Sequence, residues 1–307
     1  QKALAEAIFE RAESKTVNAD GSTVIKVYYT RTTYTLTFTY GDKVGENATY
    51  TLRYGQNISY NPSFAVVGYV FAGWDAEIPA TMPAQNVTID ATWTASNVGY
   101  VVEHYVQNAN NNEYTLDHTD NRTGVTGTVI DGTALATLIG NGIVLRDAES
   151  KAIAADGSTV IKIYYNRASY TVTYTYGDKN GNAVEQTVRY GATIPDAPVF
   201  SVLGYTFVGW DVEIPATMPA ENMTVTAQWT VNGYTITFDT DGGSKIAAIT
   251  QDYGTAVTAP AAPTKTGYTF LGWDTAFETM PAYDLTVTAI WSVNQYTIFF
   301  DTDGGSA

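Results

Sequence analysis

The residues best suited to acid–base or metal chemistry in this 307-residue chain are few and scattered. There are two histidines, His104 and His118, and no cysteine. No serine or cysteine nucleophile adjoins either histidine, so neither enters a recognisable nucleophile–base–acid triad. Both read as satisfied or exposed residues in strands or at strand edges. Asp75, Asp211 and Asp274 each follow a Gly-Trp pair, with Glu77 and Glu213 two residues beyond the first two. Paired carboxylates are the apparatus of glycoside hydrolysis. Recurrence in every copy of a small module, with no separate cleft, points instead to a turn or cap role. Asp239-Thr-Asp241-Gly-Gly and Asp301-Thr-Asp303-Gly-Gly match the first half of a calcium loop but lack its later ligands and distal glutamate. They read as tight turns with glycine at positive φ. Asn47, Asn86, Asn121 and Asn222 open Asn-x-Thr sequons, read as incidental. No catalytic residue, cofactor or metal is expected.

The elements that carry these residues repeat. The segment 13–31, ESKTVNADGSTVIKVYYTR, returns at 149–167 as ESKAIAADGSTVIKIYYNR. At the same 136-residue offset, the stretch 68–93 (GYVFAGWDAEIPATMPAQNVTIDATW) returns at 204–229. A third copy of the latter pattern fills 234–291, and a further one starts at Tyr296. Two module types result. Type A occupies 98–167, with only its second half at 1–31. Type B occupies 34–93, 170–229 and 234–291, with a first strand and turn at 296–307. The linkers 94–98 and 230–233 are too short to act as flexible tethers, so neighbouring modules are expected to restrict one another.

Each B module opens with strict alternation, Tyr34-Thr-Leu-Thr-Phe-Thr-Tyr40 in the first, which is the signature of a half-buried strand. Gly41-Asp42, Gly177-Asp178 and Asp241-Gly242-Gly243 then signal turns. The Gly-Tyr-x-Phe-x-Gly-Trp run is read as placing Tyr69, Phe71 and the backbone of Gly73 on one face. All six tryptophans (Trp74, Trp93, Trp210, Trp229, Trp273 and Trp291) fall at two repeat positions. A module of about 60 residues has little interior, and two large aromatics supply much of one. The tryptophans, with Tyr69, Phe71, Tyr205, Phe207, Tyr268 and Phe270, are therefore assigned to the structural core, a sugar-stacking platform being the alternative. In the A module, 133–138 holds better helix formers and ends near Gly140, which suggests one short helix laid on a small sheet. The fold class is mainly β: a tandem array of small β modules, the A type with one short helix.

Composition narrows the partners. Asp and Glu total 31 against 16 Lys and Arg, a net charge of −15, which disfavours phosphate backbones and so nucleic acid. Lack of cysteine removes disulfides and zinc thiolates, leaving packing and repetition, or another crosslink, to supply stability. No apolar stretch approaches a membrane span, so no membrane insertion is expected. Export and anchoring signals are expected outside these residues.

The B pattern resembles the internalin-type B-repeat, or Listeria–Bacteroides repeat. The third copy carries it best, with YTITFDTDGGS at Tyr234, GYTFLGW at Gly267 and AIW at Ala289. The A pattern, through YVVEHYVQN, TGVTGT and ADGSTVIKIYY, resembles the mucin-binding-protein type repeat. Both resemblances imply β-grasp-like folds in exported surface proteins of bacteria and no catalytic residues. The expected role is a non-catalytic, extracellular, surface-attached repeat region acting as a semi-rigid stalk or adhesin array. Its partner would be a host or neighbouring-cell surface protein or glycan. A self-assembling extracellular filament and weak multivalent glycan-binding modules are the alternatives.

Overall fold

A computed structural model describes residues 6–301 and 303–305. They fall into two compact units. One comprises the described residues up to Asn108 with 113–139 and 144–166; the other comprises 109–112, 140–143 and the described residues from Arg167 onward.

In the first unit, β1 (Ala7–Ala12) and β2 (Val27–Arg31) form an antiparallel ribbon. Then β3 (Thr33–Thr39), β4 (Ala48–Arg53), β5 (Tyr69–Trp74) and β6 (Val87–Ala95) make a four-stranded sheet ordered β4-β3-β6-β5. Antiparallel pairs β3–β4 and β5–β6 flank a parallel central pair, β3–β6. The alternation read in 34–40 decides which face is covered: Leu36 and Phe38 are fully buried, and the intervening threonines are not.

Six strands follow: β7 (Asn97–Gln107), β8 (Tyr114–Val125), β9 (Val129–Asp131), β10 (Ile143–Ala148), β11 (Ser150–Ala152) and β12 (Val160–Arg167). The main sheet is ordered β10-β12-β7-β8, with β7 parallel to β12, and β9 pairs with β11. Taken from the β8 edge, this is the strand order of the preceding sheet. The two module types thus share one arrangement despite unlike sequences. At the 136-residue offset, β1 and β2 correspond to β10 and β12. Tyr165 is 0% exposed and its counterpart Tyr29 36%.

The short helix expected over 133–138 is replaced by a single 3-10 turn, Gly132–Leu135, capped by the Asp131 carboxylate, which accepts from the Thr133 N–H at 2.9 Å. Two features stop it. A side chain at Gly132 would meet the Glu149 carbonyl oxygen at 2.4 Å, so the turn lies hard against its neighbour. The Thr137 N–H, which a growing helix would direct back along its axis, donates instead to the Tyr165 hydroxyl at 3.1 Å.

The second unit contains two further sheets. β13 (Ser169–Thr175), β14 (Val184–Arg189), β15 (Tyr205–Trp210) and β16 (Met223–Val231) are ordered β14-β13-β16-β15. β17 (Gly233–Asp239), β18 (Ile249–Asp252), β19 (Tyr268–Trp273) and β20 (Leu285–Val293) are ordered β18-β17-β20-β19. Both repeat the parallel pairing of first and last strand, β13 with β16 and β17 with β20.

The most deeply buried residues are equivalent from sheet to sheet: Leu36, Phe38, Met82 and Ile89; Val172, Tyr174, Met218 and Val225; Ile236, Phe238, Met280 and Val287. Each such side chain stabilises the fold by about 1.5–3 kcal/mol relative to exposure. The methionine of each Thr-Met-Pro-Ala run lies inside because its backbone is pinned. The Met82 N–H donates to the Gln56 carbonyl, and the Met82 carbonyl accepts from the Gly55 N–H at 2.8 Å.

Candidate functional site

Each B module builds its aromatic cluster around a β-bulge. The register slips between Phe71 and Gly73, so Phe71 pairs with Trp93 and Trp74 with Ala91. Trp74, rather than the Gly73 backbone, therefore joins Phe71 on that face, correcting the strict alternation read through GYVFAGW. Gly73, Gly209 and Gly272 take φ of 128°, 153° and 140°, a region that side chains resist. The Phe71 ring then meets Trp74 and Trp93 edge to face at 5.1 and 5.8 Å. The indole N–H groups of Trp93, Trp229 and Trp291 donate to the carbonyls of Tyr40, Tyr176 and Thr240 at 2.8, 3.0 and 3.1 Å.

The twelve aromatic residues assigned from sequence lie at the margin of this interior. All six tryptophans are half-buried, with Trp74, Trp210, Trp229 and Trp273 packed against the buried clusters. Tyr69, Tyr205 and Phe270 are also half-buried, whereas Phe71, Phe207 and Tyr268 are 38%, 37% and 38% exposed. The innermost set, Phe38 and Met82 with their equivalents, was not in the sequence assignment. Its signal was present as the inward face of the first strand and as a methionine recurring in every copy.

The recurrent aspartates are strand ties. Asp75, Asp211 and Asp274 accept from the N–H groups of Asp90, Thr226 and Thr288 at 2.8, 2.7 and 2.8 Å. Asp241 and Gly242 take φ of 46° and 83° between Thr240 and Gly243, whose N–H donates to the Thr240 carbonyl at 3.0 Å. Positive φ at both central positions is the geometry of a type I′ turn.

Short linkers are fixed on both sides. In the first unit, the Ser96 N–H donates to the Gly68 carbonyl at 3.0 Å, while the Ser96 carbonyl accepts from the Thr126 N–H at 3.0 Å. In the second, the Asn232 N–H donates to Gly204 at 2.9 Å, and its carbonyl accepts from Tyr253 at 2.9 Å. One residue thus closes the sheet behind it and anchors the one ahead.

The two histidines are cross-strand partners, His104 on β7 opposite His118 on β8. Their rings stack at 4.3 Å and 7°. His104 is fully buried, and its Nδ1 shares a 2.9 Å hydrogen bond with the Tyr165 hydroxyl. His118 Nδ1 lies 2.8 Å from the Asp117 carboxylate. Burial first, and the adjacent His118 second, hold His104 below the usual imidazole range. The Arg122 guanidinium, bonded to Asp120 at 2.9 Å, holds that carboxyl below the usual carboxylate range. Sequence separation hid this juxtaposition, which the hairpin creates.

Residues 34–98, 170–228 and 234–292 match the Listeria-Bacteroides repeat domain, more than half of the chain, and the chain belongs to that family. It is 36% identical over 145 residues to Internalin H of Listeria monocytogenes, covering 41% of this chain and 26% of that protein. It is 30% identical over 151 residues to a protein of Evansella cellulosilytica named as a candidate Gly-rich membrane protein, covering 42% of this chain and 18% of that one. The chain thus spans about a quarter or less of the curated relatives it matches. Among the described residues, no helix is long and apolar enough to cross a membrane.

Proposed function

We propose that this chain is a non-catalytic repeat region of a bacterial cell-surface protein, extracellular and surface-attached, acting as a semi-rigid stalk that can present adhesive faces. The module limits read from sequence form part of this proposal, as does the mucin-binding-protein-like character of 98–167. So does the view that the repeated tryptophans and their aromatic neighbours serve packing rather than ligand stacking.

The observation that carries the reading is the parallel pairing of first and last strand in every four-stranded sheet. Parallel strands run the same way, so the chain comes in at one end of each sheet and leaves at the other. The doubly bonded linker residues Ser96 and Asn232 then favour fixed steps over free hinges. Family membership and the likeness to Internalin H support the surface location.

Small-angle X-ray scattering of the chain tests it. An elongated particle with a maximum dimension well above that of a 307-residue globule is expected, and a compact globule would overturn the stalk. A light-scattering concentration series and a glycan array identify the competing outcomes, self-association into a filament and sugar recognition. The partner expected is a surface protein or glycan of a host or neighbouring cell.

A further inference from the structure

From the His104, His118 and Asp120 side chains we infer a divalent transition-metal site on the β7–β8 hairpin, with Nε2 of each histidine and Oδ1 of Asp120 as ligands. The candidate ligand atoms of the three residues lie within 4.8 Å of one another. His118 and Asp120 are two residues apart on β8 and so project from one face. His104 stands directly opposite His118 in the pairing.

His104 makes the arrangement more than a chance cluster. Its side chain is 0% exposed, and its Nε2 has no hydrogen-bond partner. A buried polar atom left unpaired costs roughly 1–3 kcal/mol. Neither tautomer repairs the defect. With the proton on Nε2, the Asp120 Oδ2 is 3.8 Å away, beyond hydrogen-bond reach, and no other partner is within it. With the proton on Nδ1, donated to Tyr165, Nε2 keeps a bare lone pair in the ring plane, 3.8 Å from the Asp120 carboxylate, while His118 covers the ring face. A metal ion satisfies that lone pair.

The surroundings match what imidazole ligands need. A metal-bound histidine usually hands its other ring proton to an acceptor, which fixes the tautomer and ring orientation. The Tyr165 hydroxyl serves His104 at 2.9 Å, and the Asp117 carboxylate serves His118 at 2.8 Å. Tyr165 is itself held by the Thr137 N–H at 3.1 Å. Arg122 occupies Oδ2 of Asp120, which leaves Oδ1, 4.0 Å from His118 Nε2, for the ion.

Bonds of about 2.0–2.1 Å in a tetrahedral shell require ligand atoms about 3.3 Å apart. The cluster must therefore contract by an ångström or so, and the stacked His118 ring must tilt until its lone pair converges with that of His104. The edge position of β8 and the partial exposure of His118 and Asp120 allow this. Two imidazoles and one carboxylate favour zinc or its first-row neighbours over calcium and magnesium, which prefer all-oxygen shells. Three protein ligands leave a fourth position for water.

Calorimetric titration of the EDTA-treated full chain with zinc chloride tests the site. One zinc per chain is expected, with a raised thermal midpoint for the intact chain. His118→Ala, a half-exposed position, should keep the fold and lose the saturable binding. Asp117→Asn should weaken it by about 10–100-fold, as loss of an outer partner does. Cobalt should give a visible spectrum typical of low coordination in the intact chain and none in His118→Ala. No saturable heat from the intact chain would overturn the proposal. So would equal binding by His118→Ala, or equal uptake of calcium, which would mark diffuse attraction to a chain of net charge −15.

Discussion

Lys265 holds its ammonium 4.5 Å from the centre of the Tyr268 ring and 3.3 Å from the Asp241 carboxylate. In the first two B modules the same contacts come from a different place in the chain. Lys43 and Lys179 reach Tyr69 and Tyr205 at 4.2 Å from the turn itself, each also paired with the preceding aspartate at 2.8 Å. Replacing the Tyr-Gly-Asp-Lys turn by Asp-Thr-Asp-Gly-Gly removes that lysine, and Lys265, beside the tyrosine, restores the cation over the ring. Lys265→Met should destabilise the last module by about 0.5–1 kcal/mol in urea unfolding. No change in midpoint would show that the cation contributes nothing there.

Gly204 and Gly267 occupy equivalent positions with φ of 78° and 81°. A Cβ on Gly204 would come within 2.1 Å of the Tyr253 ring, whereas one on Gly267 would meet nothing within 4 Å. Gly267→Ala should therefore cost backbone strain alone, about 1–3 kcal/mol. Gly204→Ala should cost a further 1–3 kcal/mol or so for overpacking against the following module. Differential scanning calorimetry distinguishes the two, and equal losses would remove Tyr253 from the seam.

Trp229→Phe keeps an aromatic ring against Phe207, 5.6 Å away, but removes the indole donor to the Tyr176 carbonyl. The Tyr176 carbonyl keeps the Lys179 N–H at 3.3 Å, so the change costs the net worth of one hydrogen bond, about 0.5–1.5 kcal/mol. The loss should appear as a lower urea midpoint with an unchanged slope. An unaltered midpoint would mean that water replaces the bond freely.

Acid should weaken the fold through its capped turns. Ser158 hydroxyl and backbone donors lower Asp156, Thr133 backbone and hydroxyl donors lower Asp131, and Lys179 lowers Asp178. Carboxyls depressed in the folded state bind fewer protons there than in the unfolded chain, so stability rises with pH. Their contribution is complete above the unfolded value, about 3.9, and is lost as pH falls through the lower folded values. Urea midpoints measured from pH 5 to pH 2 should fall, and Asp156→Asn should flatten the decline. A pH-independent midpoint would contradict the assignment.

Sequence alone showed the elements where a period was unbroken. Thr33–Thr39 alternates through its whole length, and its inward residues are those the fold buries. It misled where one residue broke the period. The bulge before Gly73 turns Trp74 onto the Phe71 face, and an alternating pattern has no term for an inserted residue. The shared strand order of the two module types was hidden because pairing is a property of backbones, which unlike side chains can produce equally well. His104 and His118, 14 positions apart, meet only because β7 and β8 fold back in that register. A spacing rule written for helices or metal loops does not look there.

The parallel pairing of first and last strands also sets how each module carries load. When the chain is pulled at both ends, tension enters β13 and leaves through β16, which are hydrogen-bonded neighbours running the same way. The force acts along the ladder, so its bonds must slide past one another together rather than part in sequence as at the open end of a hairpin. The same holds for β3 with β6 and for β17 with β20. A region built this way resists stretching far better than its modest interiors suggest, because its strongest direction is the line of the chain.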